Sequence, residues 1–124
     1  MSNSTAFRIA AALGFLGVGL GAFGAHSLKP LLTEHGTLAI WEKAVFYHLI
    51  HTVVLLILAS RAPLQRGPWL FILAGICIFS GSLYLLALTN VKVLGAITPF
   101  GGVSFMVGWL WLAICPRTAP AGPS

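Results

Sequence analysis

The stretch WEKAVFYHLIHTVVLLILAS, residues 41–60, decides the architecture of this chain. Its last charged residue is Lys43, and the next one in the chain is Arg61. As an α-helix rising 1.5 Å per residue, the segment between them covers about 27 Å. A bilayer's hydrocarbon core is about 30 Å thick. The stretch therefore reads as a membrane span, yet it carries His48 and His51 one helical turn apart.

Three more stretches lack Asp, Glu, Lys and Arg: residues 9–28, 67–91 and 93–116. Each is about as long as the roughly 17–25 residues that cross a bilayer. Of the 124 residues, 58% are hydrophobic and 7% charged, against about 25% charged in ordinary soluble domains. So short a chain cannot bury that much apolar surface in a soluble core. The expected fold is all-α, a bundle of four transmembrane helices in one domain. Its spans run over about residues 7–25, 38–60, 68–88 and 94–115.

The formal net charge is +5. The basic residues Arg8, Lys29, Lys43, Arg61, Arg66, Lys92 and Arg117 are scattered at span ends. That distribution fits anchoring at phospholipid headgroups and not a nucleic-acid surface. Four arginines (Arg8, Arg61, Arg66 and Arg117) fall on one side of a four-span protein. Three lysines fall on the other, with the only acids, Glu34 and Glu42. By the positive-inside rule both termini are expected in the cytoplasm. Cys77 and Cys115 lie in apolar spans without metal-type spacing, and they read as packing thiols.

In the first span Gly14, Gly17, Gly21 and Gly24 recur at steps of three, four and three, which puts them on one helix face. Small residues let a second helix approach closely, and such packing drives association in lipid. Arg8, the apolar run and GAFGAHS also have the outline of a signal peptide, with Ala22 and Gly24 at small-residue positions. The regular glycine face argues for a retained helix. KPLLTEHG, residues 29–36, reads as a loop or short interfacial turn, with Thr37 as a cap for the second span. RAPLQRGP, residues 61–68, is a second turn. In the fourth span Thr98 and Pro99 carry a helix-start signal, so residues 94–98 are expected to be irregular and buried in protein. Gly101, Ser104 and Gly108 share a packing face.

His51 falls about 12 Å below the Lys43 level, near the midplane. An ionisable residue there is a functional candidate by default. Trp41, Ala44, Tyr47, His48 and His51 form one stripe, expected to face the bundle. Ser80, Ser82 and Ser104 lie at matching depth and complete a candidate polar network with Tyr47 and His51. His26, His48 and His51 are also the candidates for contact with haem, quinone or metal. Two histidines on one helix face cannot grip both faces of a haem, and no carboxylate or cysteine completes a metal set. Proton relays usually include intramembrane Asp or Glu, which this chain lacks. The expected role is a neutral histidine network that fixes helix register, with no cofactor. No nucleophile motif, phosphate loop or acid pair is present, so catalysis by the chain itself is not expected.

GAFGAH (residues 21–26), Tyr47 with His51, FSGSLY (79–84) and TPFGGVSFMVGW (98–109) together resemble a small bacterial membrane family. It is catalogued as domain of unknown function 423, and its eukaryotic branch is named transmembrane protein 256. The resemblance spans about residues 7–112. It implies four transmembrane helices, an inner-membrane or organellar setting, and no established activity. The family pattern matches His26, Tyr47 and His51 but does not require histidine at position 48. The reading that follows is a non-catalytic membrane protein, a structural or accessory subunit of a membrane complex, respiratory among the options, or a homo-oligomer. The alternative is a small transporter or ligand-binding protein that uses the intramembrane histidines.

Overall fold

The computed structural model describes residues 1–116; Arg117, which entered the topology count, lies outside the described residues. Among the described residues four helical stretches are long and apolar enough to cross a membrane: Asn3–Ala25, Leu38–Ala59, Arg66–Thr89 and Lys92–Ile114. The first is a single helix, α1 (Asn3–Ala25), and the second is α3 (Leu38–Ala59). Between them lies α2 (Lys29–His35). The third span is α4 (Arg66–Gly75), a π-helical turn (Ile76–Ser80) and α5 (Gly81–Thr89). The fourth is a 3₁₀ turn (Lys92–Ala96) followed by α6 (Thr98–Ile114). Among the described residues there is no strand.

Local chemistry sets the boundaries. Ser2 caps α1, its Oγ accepting the Thr5 N–H at 3.1 Å, as an N-cap serine does. The expected loop at residues 29–36 is instead the short helix α2. Pro30 sits in its first turn, where a missing N–H leaves nothing unpaired. Gly36 ends it at φ 69°, a left-handed conformation that glycine adopts without strain. Asn90 closes α5 the same way at φ 58°.

The irregular stretch before Pro99 is the 3₁₀ turn. It is not buried, contrary to the expectation for residues 94–98. Its own backbone bonds, Leu94 N–H to Val91 O and Ile97 N–H to Leu94 O, satisfy it without protein cover. Cys77 and Cys115 are free and exposed, so neither is a packing thiol.

The helices pack as two antiparallel pairs, α1 with α3 and α4 with α6, and α3 also contacts the π turn and α5. On α1 the small-residue stripe extends through Ala6 and Ala10, both fully buried. Gly24 lies under the Trp41 indole, and a Cβ on Gly17 would meet Leu49 Cδ2 at 2.6 Å and His48 Nε2 at 3.2 Å. Gly21 has more room, 3.3 Å to Val45, and Gly14 is in ordinary contact with Thr52 at 3.6 Å. The tightest approaches are thus Gly17 and Gly24, two turns apart, and not the GxxxG pair Gly17 and Gly21. The second pair interlocks from both sides. Phe105 and Trp111 of α6 sit on Gly75 and Gly67, while Gly108 of α6 accepts Ile72 and Gly101 meets the Phe79 backbone.

Overpacking such a contact typically costs about 1–3 kcal/mol. Gly17→Leu and Gly24→Leu are each expected to lower stability by at least about that much in thermal denaturation of the detergent-solubilised protein. Gly19→Leu, on the same helix with nothing within 4 Å of its Cβ position, is the control and should melt like the wild type.

Candidate functional site

Most polar side chains inside the bundle reach a backbone carbonyl on another element. Trp41 Nε1–H donates to Leu20 O at 2.9 Å, and Trp69 Nε1–H to Leu55 O at 3.3 Å. Ser80 Oγ–H donates to Ala44 O at 2.8 Å, and Ser104 Oγ–H to Phe71 O at 2.6 Å. A carbonyl already bonded within its helix still has a second lone pair, so these contacts leave the helices intact. Among the described residues no buried side-chain nitrogen or oxygen lacks a partner.

Helix ends are closed in the same way. The last carbonyls of a helix have no partner within it. Ala87 O, near the end of α5, accepts from Thr37 Oγ1–H at 2.8 Å and from His35 Nδ1–H at 3.1 Å. Thr37 therefore precedes α3, as expected, but its hydroxyl serves α5 and makes no cap bond to α3. At the opposite end of the bundle Asn3 Nδ2–H donates to Ala59 O and Arg61 O, both at 2.9 Å.

His48 is 2% exposed and joins three spans. Nε2 lies 2.8 Å from Leu13 O on α1, and Nδ1 lies 2.8 Å from the Tyr84 hydroxyl on α5. A carbonyl only accepts, so Nε2 carries the proton and Nδ1 takes the Tyr84 O–H. His51 has the opposite tautomer. Its Nδ1–H donates to Tyr47 O at 2.8 Å, and its Nε2 accepts the Trp109 indole N–H at 3.0 Å. An indole N–H only donates, so His51 Nε2 is bare. The His51 ring also stacks on Phe105, with centroids 3.7 Å apart.

These contacts correct the expected network. The partner of His51 on another span is Trp109; Ser80, Ser82 and Ser104 bond elsewhere. Ser82 Oγ–H donates to Phe79 O at 2.9 Å, so the 2.6 Å contact with Thr98 is donated by the threonine. Tyr47 contributes its backbone carbonyl, not its hydroxyl. Of the expected stripe, Trp41, Ala44, His48 and His51 are buried, while Tyr47 turns to the edge of the bundle. His48, which the family pattern ranks below His51, is the residue that ties the most spans together.

A cue to Trp109 lies in the spacing of the basic residues. In the sequence His51 stands ten residues before Arg61 and Trp109 eight before Arg117, the basic residues that follow their spans. The three candidate histidines do not converge. His26 is exposed at the C-cap of α1, about 14 Å along that helix from Gly17, the residue beside His48. Among the described residues no group of three or more His, Cys, Asp or Glu is placed to share a metal ion.

Beside His51 an open groove of about 450 Å³ runs between α3, the π turn and α6. Tyr47, Phe79, Phe105 and Trp109 wall it, and Pro99, Gly102, Val103 and Met106 complete the lining. Tyr47 packs on Phe79 at 4.6 Å between centroids.

Comparison with known proteins matches residues 20–102 to the family described as protein of unknown function (DUF423). A UPF0382 membrane protein of Staphylococcus aureus is 48% identical over 104 residues, covering 80% of this chain and 84% of that protein. The UPF0382 membrane protein YwdK of Bacillus subtilis is 42% identical over 106 residues, with 80% and 85% covered. No solved structure matches. With its four apolar helices and these relatives, the chain is a multi-pass membrane protein and a member of the DUF423 family, whose function is not known.

Proposed function

We propose that this protein is a non-catalytic scaffold in a bacterial inner membrane, an accessory subunit of a larger assembly or a homo-oligomer. The observation that carries this reading is the use made of His48 and His51. All four ring nitrogens are engaged by groups of the same chain. Rings held that way act as register pins, each with one donor and one acceptor edge. An orientation with both chain ends cytoplasmic accompanies the proposal. Arg8, Arg61 and Arg66 cluster at the end where Asn3 bonds Arg61 O, and basic residues favour the cytoplasmic side.

Intact-mass measurement after extraction in mild detergent tests the role. A discrete assembly larger than one chain, with stoichiometric partners or copies, is expected. A monomer at all protein concentrations would refute it.

The pinning has its own test. In ¹⁵N-histidine NMR of the membrane-embedded protein, His48 should show a protonated Nε2 and a bare Nδ1, and His51 the reverse. Doubly protonated rings at neutral pH would contradict the assignment. Removing one partner of a buried pair costs about 1–3 kcal/mol. His48→Leu should therefore destabilise by about that amount, and adding Tyr84→Phe should recover part of the loss, because the orphaned hydroxyl is then gone.

A further inference from the structure

Four observations converge on the groove beside His51. Its walls are rings from three elements: Tyr47 on α3, Phe79 on the π turn, and Phe105 and Trp109 on α6. Their faces are polarisable and prefer offset or edge contact with other flat rings. The groove opens on the outer side of the bundle, where Val103 and Met106 are 59% and 70% exposed, so an occupant enters sideways from lipid. Gly102 leaves space in it: a Cβ there would meet only Phe79, at 3.9 Å.

The polar inventory of the groove is small and specific. His51 has both nitrogens engaged and the Trp109 N–H is given to it. The Tyr47 hydroxyl makes no hydrogen bond within the described chain, and the ring lines the groove at 36% exposure. It lies about 6 Å below the level of Lys43. An apolar lining with one or a few polar groups that set orientation is the usual make-up of a small-molecule site. The neighbouring π-helical turn adds to this, since such turns occur frequently at functional sites.

From these features we infer that the groove binds the head of an isoprenoid quinone. The flat ring lies among the aromatic walls, one quinone carbonyl accepts the Tyr47 O–H, and the tail leaves into the bilayer. The occupant is chosen by chemistry. The Tyr47 O–H has no acceptor within the described chain, and a ligand that presents one completes it. The walls favour a flat conjugated ring, and the lateral opening requires a lipid-soluble molecule. An acyl chain offers no flat ring to match the walls, and a second copy's helix, whose carbonyls keep a second lone pair, is the competing occupant that the test distinguishes. The inference goes beyond the scaffold reading and holds for a free chain or an assembled one.

The test is a titration of the full chain in nanodiscs with decylubiquinone, followed by quenching of tryptophan fluorescence, with Trp109 in the groove wall as reporter. Saturable quenching is expected above the linear partition background. Gly102→Leu fills the groove and should remove the saturable part. Tyr47→Phe keeps the ring and loses the donor, and it should weaken binding about 3- to 10-fold, the effect of one hydrogen bond. If Gly102→Leu does not fold, as judged by its melting, Val103→Trp blocks the same groove from the outer rim and carries the same expectation.

Purely linear quenching in the wild type overturns the proposal. So does saturable quenching that survives both the blocking and the Tyr47 variants. Equal competition by decylbenzene, which has a ring and tail but no acceptor, shows that the hydroxyl plays no part and also overturns it. If blocking the groove changes the mass of the assembly while the wild type shows no saturable quenching, the groove is a chain–chain contact. That outcome overturns quinone binding and leaves the scaffold proposal standing.

Discussion

A polar group in hydrocarbon has no water to fall back on, so it must find its partner inside the protein. An unpaired amide or hydroxyl in a fully apolar medium costs on the order of 4–8 kcal/mol. The intramembrane bonds that replace it yield only about 0.6–2 kcal/mol each. The asymmetry makes these bonds selectors more than stabilisers: an arrangement of spans that leaves them unmade is excluded. In this bundle each pair of spans adjacent in the sequence carries such a selector. Trp41 reaches Leu20 O between α1 and α3, and Ser80 reaches Ala44 O between α3 and the π turn. Ser104 reaches Phe71 O between α4 and α6, and Thr98 meets Ser82 between α5 and α6.

Those bonds require the backbones to be close, and the small residues make that possible. A short hydroxyl or a rigid indole reaches a neighbouring helix only where no side chain intervenes. Trp41 shows both halves of the device. Its ring occupies the space over Gly24 while its N–H meets Leu20 O, one turn earlier on the same helix. A side chain at position 24 would displace the ring and take the hydrogen bond with it. Close packing and polar satisfaction are therefore one constraint at Trp41, whose indole covers the tightest glycine of α1.

The architecture was readable because lipid imposes length and composition on every span, and both are visible in one dimension. The glycine stripe was readable because helical periodicity turns spacing into a face. The partners of His48 and His51 were not. Leu13 O and Tyr47 O are backbone atoms, which carry no sequence signal at all. Trp109 stands near the level of His51 only from the end that α3 and α6 share, and the spacing from Lys43 does not show it. Thr37 occupies a capping position by sequence, yet the orphan carbonyl of Ala87 on α5 claims its hydroxyl. The π turn within the third span has no periodicity of its own to betray it.

Histidine suits this bundle for a reason apart from ionisation. A neutral imidazole carries a donor on one edge and an acceptor on another, so it can link two groups that do not touch each other. A serine hydroxyl on its short stem reaches only the helix beside it. His48 uses the full span of the ring, giving to Leu13 O on α1 and taking from Tyr84 on α5. His51 reverses the polarity and draws α6 toward α3 through Trp109. The opposite tautomers follow from the partners: each carbonyl fixes a proton on the nitrogen facing it and leaves the other nitrogen to accept. With those edges taken, the hydroxyl of Tyr47 is the polar group of the stripe left to face outward, and the chemistry of the lipid-facing groove rests on it.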